Sequence, residues 1–147
     1  MNREEFIVYA ESVCFDDQWT AESVKAAVES GYGVCVVEEG IGYAIGRISF
    51  DEAELHRIAV LPEKRRGHAG DRLLERFITE CRERGAEKLF LEVRSMNMPA
   101  RRLYEKHGFA VISVRKGYYG DDDAVIYMLD MKCANQNCSE WDNFAQN

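Results

Sequence analysis

No apolar run in the chain approaches the ~20 residues needed to cross a bilayer, and it has no internal repeat and no low-complexity linker. Two acids, Glu4 and Glu5, stand among the first five residues, and no apolar signal core follows them. A secretory leader is therefore not expected. A surplus of positive charge is also missing: 19 Lys and Arg against 26 Asp and Glu leave a net charge of −7. That excludes broad binding along a phosphate backbone, but it leaves room for a local basic pocket or a basic protein partner. No nucleic-acid or membrane partner is expected.

Cysteine is unpatterned. The five residues Cys14, Cys35, Cys81, Cys133 and Cys138 are odd in number, and no two are spaced as CxxC. Cys35 lies in an apolar run and Cys81 continues a helical stripe, so both read as small core residues. Cys133 and Cys138 have no third or fourth ligand nearby, so no metal is expected. His56, His68 and His107 are scattered, and none marks a thiol nucleophile. This usage fits a reducing cytoplasm.

What is present is a globular balance: 147 residues, 46% hydrophobic and 31% charged. A chain of this size buries roughly two-thirds of its unfolded surface. One domain is expected over residues 1–132. The tail 133–147, with Trp141 and Phe144, carries no assignable pattern.

Hydrophobic periodicity predicts helices over 3–14 and 20–30. Phe6, Val8, Tyr9 and Val13 form the stripe of the first; Val24, Ala27 and Val28 form that of the second. Thr20 supplies cap chemistry. Residues 32–37 and 41–50 read as a hairpin turning at Glu38-Glu39-Gly40, and 55–60 as a third strand closed by Pro62. A basic, glycine-bearing segment, 64–70, leads into a helix marked by Leu73, Leu74, Phe77, Ile78 and Cys81, with Gly85 as its stop. The dense apolar run 88–94 reads as a central strand. Residues 99–107 read as a helix with Ala100, Leu103, Tyr104 and His107 on one face. Residues 109–119 and 124–131 form a closing antiparallel pair. The order predicts an α+β (mixed α/β) domain on one sheet.

Four features carry candidate chemistry. Arg65-Arg66-Gly67-His68-Ala69-Gly70 lies between a strand and a helix N-terminus, where free N–H groups and the two arginines suit a phosphate. The segment matches neither GxxxxGK[ST] nor GxGxxG. Glu92 is a carboxylate inside an apolar strand. Such a group either acts as a proton acceptor with a raised pKa or pairs at the sheet surface with Arg94 or Arg57. Tyr104 is a phenol on an apolar helix face, either a proton donor or a packing residue with a satisfied tip. Asn97, before Met98-Pro99, fits a helix cap.

Taken together these features resemble the GNAT superfamily of acetyl-CoA-dependent N-acetyltransferases. The resemblance rests on Ile58-Ala59-Val60-Leu61-Pro62 followed by the 65–70 loop and Leu73-Leu74. It rests also on Leu91-Glu92-Val93-Arg94-Ser95-Met96-Asn97 and on Leu103-Tyr104-Glu105-Lys106-His107-Gly108-Phe109. With Arg115-Lys116-Gly117-Tyr118-Tyr119, Asp123-Ala124 and the early 14–20 segment, the pattern is similar to the branch that acetylates the N-terminal alanine of a ribosomal protein. The resemblance implies one mostly antiparallel sheet flanked by helices, with a splayed strand pair forming the acetyl-CoA cleft. It implies that Ile58, Ala59 and Val60 run beside the pantetheine arm, with the Val60 N–H polarising the thioester carbonyl. Arg65, Arg66, Gly67, His68, Ala69, Gly70 and Asp71 would hold the pyrophosphate, and Asn97 would contact acetyl-CoA. Glu92 would be general base and Tyr104 general acid. Trp19, Tyr118 and Tyr119 would line the side that receives a protein or peptide N-terminus.

The chain departs from the family pattern in three places. His68 stands where the family has glycine, with Gly67 one place earlier. The 119–123 stretch is short. The first family strand is missing. Two rival readings follow: the same fold acting on a small-molecule amine, and a CoA-binding module with little turnover.

Overall fold

A computed structural model describes residues 1–132, so the 133–147 tail, with Cys133, Cys138, Trp141 and Phe144, lies outside the described residues. Two helices come first, α1 (Arg3–Cys14) and α2 (Ala21–Glu29). Asn2 and Glu5 close a reciprocal capping box on α1, and Thr20 caps α2 by accepting from the Ser23 N–H. Strands β1 (Gly33–Glu38), β2 (Gly42–Ser49) and β3 (Glu52–Val60) form a meander. A short 3-10 turn at Pro62–Lys64 leads into α3 (Ala69–Glu83). Then follow β4 (Lys88–Arg94), α4 (Met98–Lys106), β5 (Ala110–Arg115) and β6 (Ala124–Asp130).

The six strands form one sheet in the order β1-β2-β3-β4-β6-β5. Only β3 and β4 run parallel, since the α3 crossover joins them; every other neighbouring pair is antiparallel. This is the mixed α/β architecture expected. Among the described residues, no strand precedes α1.

The sheet divides two cores. On one face Leu73, Leu74, Phe77, Ile78 and Cys81 of α3 and Tyr104 of α4 pack on Val34, Ala44, Leu55, Leu91 and Tyr127. On the other face Phe6, Ile7 and Ala10 of α1 and Val24 of α2 pack on Tyr43, Ile45 and Ala59. The α1–α2 layer covers the first three strands and leaves that face of β4, β6 and β5 open.

Three readings of the pattern need correction. The buried stripe of α1 is Phe6, Ile7, Ala10 and Glu11, while Tyr9 and Val13 face outward; a buried carboxylate in the stripe disguised its phase. The third strand begins at Glu52, not at residue 55, because β2 and β3 join through Phe50-Asp51 with Phe50 at φ 58, a left-handed turn without the usual glycine signal. The run Leu89-Phe90-Leu91-Glu92-Val93 is not buried throughout: Leu89, Leu91 and Val93 are buried, and Glu92 faces the open side. A strand covered on one face alternates in this way.

Candidate active site

The site begins where two parallel strands part. β3 and β4 pair from Glu52↔Lys88 to Leu55↔Leu91 and no further. Beyond that point β3 stays on β2 as far as Val60↔Gly42, and β4 stays on β6 as far as Arg94↔Ala124. A β-bulge coincides with the parting. Ile45 pairs with Arg57 and Gly46 with Leu55, so His56 is the extra residue of β3. A side chain at Gly46 would collide with the Glu54 carbonyl and come within 2.8 Å of Phe77 Cζ, so the bulge needs glycine there. The bulge also reverses the alternation. Ala53 and Leu55 face α3 before it; Ile58 and Val60 face α3 after it, and Ala59 turns to the α1 side.

This reversal lays 58–60 along a cleft of about 670 Å³. The cleft brings together Ile58, Ala59, Val60, Arg65, Arg66, His68, Ala69, Gly70, Asp71, Asn97 and Tyr104, residues spread over nearly fifty positions of sequence. Gly67 belongs to the same loop but does not line the cleft; its carbonyl accepts from Arg72 Nη1 at 2.9 Å. The Leu61 N–H donates to Ile41 on the β2 side at 2.8 Å, so strand alternation turns the Val60 N–H toward the opening. The Arg65 Nε donates to the Val60 carbonyl at 3.0 Å and holds the loop against the strand end. The left-handed positions of the loop are Arg66 (φ 70) and His68 (φ 61), not Gly67. His68 thus holds a left-handed conformation without being glycine, and it begins α3 without a side-chain cap bond. The first N–H groups of α3 are left free to meet an anion. Asn97 caps α4 by accepting from the Ala100 N–H at 3.3 Å.

Tyr104 is buried, beside Phe109 and Tyr127, and lines the cleft. Burial alone pushes its phenol up to about 12, so it holds its proton throughout the neutral range. Asp71 sits in the first turn of α3. Its side chain accepts from His107 Nε2 at 2.7 Å and Lys106 Nζ at 2.9 Å, both at the end of α4, and lies 3.3 Å from His68 Nδ1. These partners hold its carboxyl far below the usual carboxylate range, led by Lys106. No spacing marks this cluster in the sequence, because Asp71 and His107 are 36 positions apart. With its carboxylate taken up by α4, Asp71 can offer an anion only its backbone N–H. Cys14 also lines the cleft; burial pushes its thiol up, against the lowering influence of Arg65, so it is not a thiolate nucleophile.

Glu92 is not in that cleft. It lines a second hollow of about 480 Å³ on the open face with Glu54, His56, Arg115, Tyr118 and Tyr119. Its side chain is one-third exposed, and its partner is Arg115 Nη1 at 3.6 Å, not Arg94 or Arg57. Arg94 pairs instead with Asp121, and Arg57 with Glu11 and Asp17. The two hollows follow each other along β3, the second at 54–56 and the first at 58–60. Trp19 lines neither; its ring stands edge-on to His56, 6.4 Å between centroids. Among the described residues no cluster of three His, Cys, Asp or Glu could hold a metal, and no helix is long and apolar enough to cross a membrane.

Residues 3–109 match the family described as acetyltransferase (GNAT). A Bacillus subtilis (strain 168) protein, provisionally named a [ribosomal protein bS18]-alanine N-acetyltransferase, is 36% identical over 123 residues, 79% of this chain and 82% of that one. The Escherichia coli (strain K12) [ribosomal protein bS18]-alanine N-acetyltransferase is 43% identical over 91 residues, 59% of this chain and 62% of that one. The crystal structure of the Escherichia coli ribosomal-protein-S18-alanine N-acetyltransferase superposes with a TM-score of 0.78 at 30% identity, covering 88% of this chain and 90% of that one.

Proposed function

The chain belongs to the GNAT acetyltransferase family, and on that premise we propose that it moves the acetyl group of acetyl-CoA onto the α-amino group of a protein N-terminus, an alanine-initiated ribosomal protein in the cytoplasm being the acceptor. The family makes it an acetyl-CoA-dependent N-acetyltransferase. The first cleft suits that donor. Its apolar wall of Ile58, Ala100 and Leu103 suits a pantetheine arm, and the free N–H groups of Ala69, Gly70 and Asp71, with Arg65 and Arg66, suit a pyrophosphate. Bound there, the donor supplies an activated acetyl thioester.

The residues then divide the work. Val60 turns its N–H toward the opening, where it meets the carbonyl oxygen as negative charge develops on it. Glu92, in the neighbouring hollow, takes a proton from the acceptor ammonium directly or through a water. Tyr104 gives its proton to the departing thiolate and regains one from solvent, and the nitrogen sheds its second proton to solvent as the amide forms. Holding donor and acceptor together supplies much of the acceleration without a covalent enzyme intermediate. An α-amino group, with a pKa near 7.7–8.0 against about 10.4 for lysine, needs less help to become neutral, which favours a chain terminus as acceptor.

The observation that carries this reading is the parting of β3 from β4 after Leu55↔Leu91, which opens one cleft on the donor side and one hollow on the acceptor side. Mass spectrometry of a peptide library incubated with the protein and acetyl-CoA tests it. Acetylation of peptide N-termini, led by alanine-initiated ones, is expected. Acetylation confined to small amines, or none, overturns the acceptor.

A further inference from the structure

The two positions immediately past the last β3–β4 pair are His56 and Glu92, one on each parting strand, and both line the acceptor hollow. Glu92 is engaged by Arg115 at 3.6 Å. His56 is the bulged residue of β3, which has no partner in β2. Its Nε2 lies 3.1 Å from Glu54 Oε2, two residues earlier on the same face, and Trp19 stands edge-on to its ring. A carboxylate can only accept, so this contact places the imidazole proton on Nε2 and leaves the Nδ1 lone pair free. The His56 side chain is 36% exposed, so a proton it takes up has a direct way out to water.

We propose that His56, oriented by Glu54, is a second proton acceptor of the acceptor hollow. His56 Nδ1 gives a second route, beside Glu92, for the proton that the acceptor ammonium must lose before it attacks, and takes it directly or through one water. The resulting imidazolium keeps its Nε2–H on the Glu54 carboxylate and then releases the Nδ1 proton to solvent. The ammonium thus becomes a neutral amine, and the proton it sheds leaves through the open face. Besides Glu54, the groups around this imidazole are Trp19 in the α1–α2 loop, edge-on to the ring, and, lining the same hollow, Glu92 on β4, Arg115 at the end of β5, and Tyr118 and Tyr119 between β5 and β6. This inference rests on the acceptor reading above.

The test compares wild type, His56→Gln, Glu54→Gln and Glu92→Gln in the full chain. It follows kcat/KM on an alanine-initiated peptide from pH 5 to 9, with the acetyl-CoA KM and the thermal midpoint alongside. His56→Gln should lower kcat/KM at neutral pH about 30-fold, less than the usual 10²-fold or more for a lone general base because Glu92 remains. Its acetyl-CoA KM and thermal midpoint should stay at wild-type values. Its acid limb should move up toward the titration of the peptide's own amino group, near pH 7.7–8.0. Glu54→Gln should lower kcat/KM in the same direction as His56→Gln, with the acetyl-CoA KM and the thermal midpoint unchanged. The ring nitrogen shifts of neutral His56 should report the proton on Nε2 in wild type and lose that preference in Glu54→Gln, which separates loss of the partner from a folding defect.

A His56→Gln profile that superposes on wild type, or a His56 ring tautomer indifferent to Glu54→Gln, overturns the proposal. Wild-type turnover is the separate control on the acceptor reading. If only a small amine is acetylated, that reading fails and the same ratio is taken on that amine. If no amine is acetylated, both fall.

Discussion

Arg57 of β3 reaches through the α1–α2 layer to Glu11 of α1, its Nη2 lying 3.3 Å from Oε1 of a carboxylate with no solvent exposure. The same carboxylate accepts from the Trp19 N–H at 2.7 Å and from the Tyr43 hydroxyl. Arg57 donates to the Asp17 carbonyl at 2.8 Å and stacks on Phe15, 4.1 Å from guanidinium to ring centre. One ion pair thus ties the α1–α2 loop to the strand residue that follows the bulge. Removing one member of a buried pair leaves the other uncompensated, at a cost of about 3–5 kcal/mol. Arg57→Ala should therefore lower the unfolding free energy by about 3 kcal/mol in urea titrations. It should also raise the peptide KM more than the acetyl-CoA KM, since Trp19, edge-on to His56 of the acceptor hollow, loses its contact with Arg57.

Tyr104→Phe removes only the hydroxyl from a buried ring. Turnover should fall about 10²-fold, the low end for a lost general acid, with the acetyl-CoA KM unchanged. Because burial pushes the phenol up to about 12, wild-type kcat should not decline through Tyr104 ionisation anywhere below pH 10. A pH–rate profile on the two proteins checks both statements.

His68 holds a left-handed conformation that glycine adopts without steric cost. His68→Gly should raise stability by no more than about 1 kcal/mol, because relief of a left-handed non-glycine residue, worth about 1–2 kcal/mol, is largely offset by the extra freedom of glycine in the unfolded chain. Its ion pair with Asp71 is exposed on the histidine side and subtracts little. Chemical denaturation measures the difference.

Asp71 is held ionised by Lys106, His107 and His68. Its folded pKa lies below its unfolded value near 3.9, so its contribution is complete above that value and fades as the pH falls through the folded one. Asp71→Asn should be less stable than wild type at pH 7, and the gap should close below about pH 4. Thermal midpoints taken from pH 7 to pH 2 check the sign.

Much of this was legible in the residues. The stripes of α3 and α4 follow the helical period, because each buries an apolar face against a continuous sheet, and Leu73 through Cys81 and Ala100 through Tyr104 lie inward as the spacing requires. The donor-side residues from Ile58 to Asn97 were found through their resemblance to a family pattern, not through spacing. Contacts made across long sequence separations were hidden. Glu11 reads as a surface acid until Arg57, 46 positions later, folds over it. Asp71 reads as a loop acid until α4 arrives. Glu92 looked buried because a run of apolar neighbours does not reveal that one face of β4 is uncovered. His56 looked isolated because a bulge leaves no mark in hydrophobic periodicity.

The central claim is that the opening past Leu55 and Leu91 seats the thioester donor beside Val60. Amide-resolved titration of isotopically labelled protein with acetyl-CoA tests it most directly. Saturable shifts are expected at Ile58 and Val60 and at Ala69, Gly70 and Asp71, with the amides of β5 and of the Phe50-Asp51 turn unmoved. Saturable binding that leaves 58–60 unchanged and shifts amides elsewhere would contradict it.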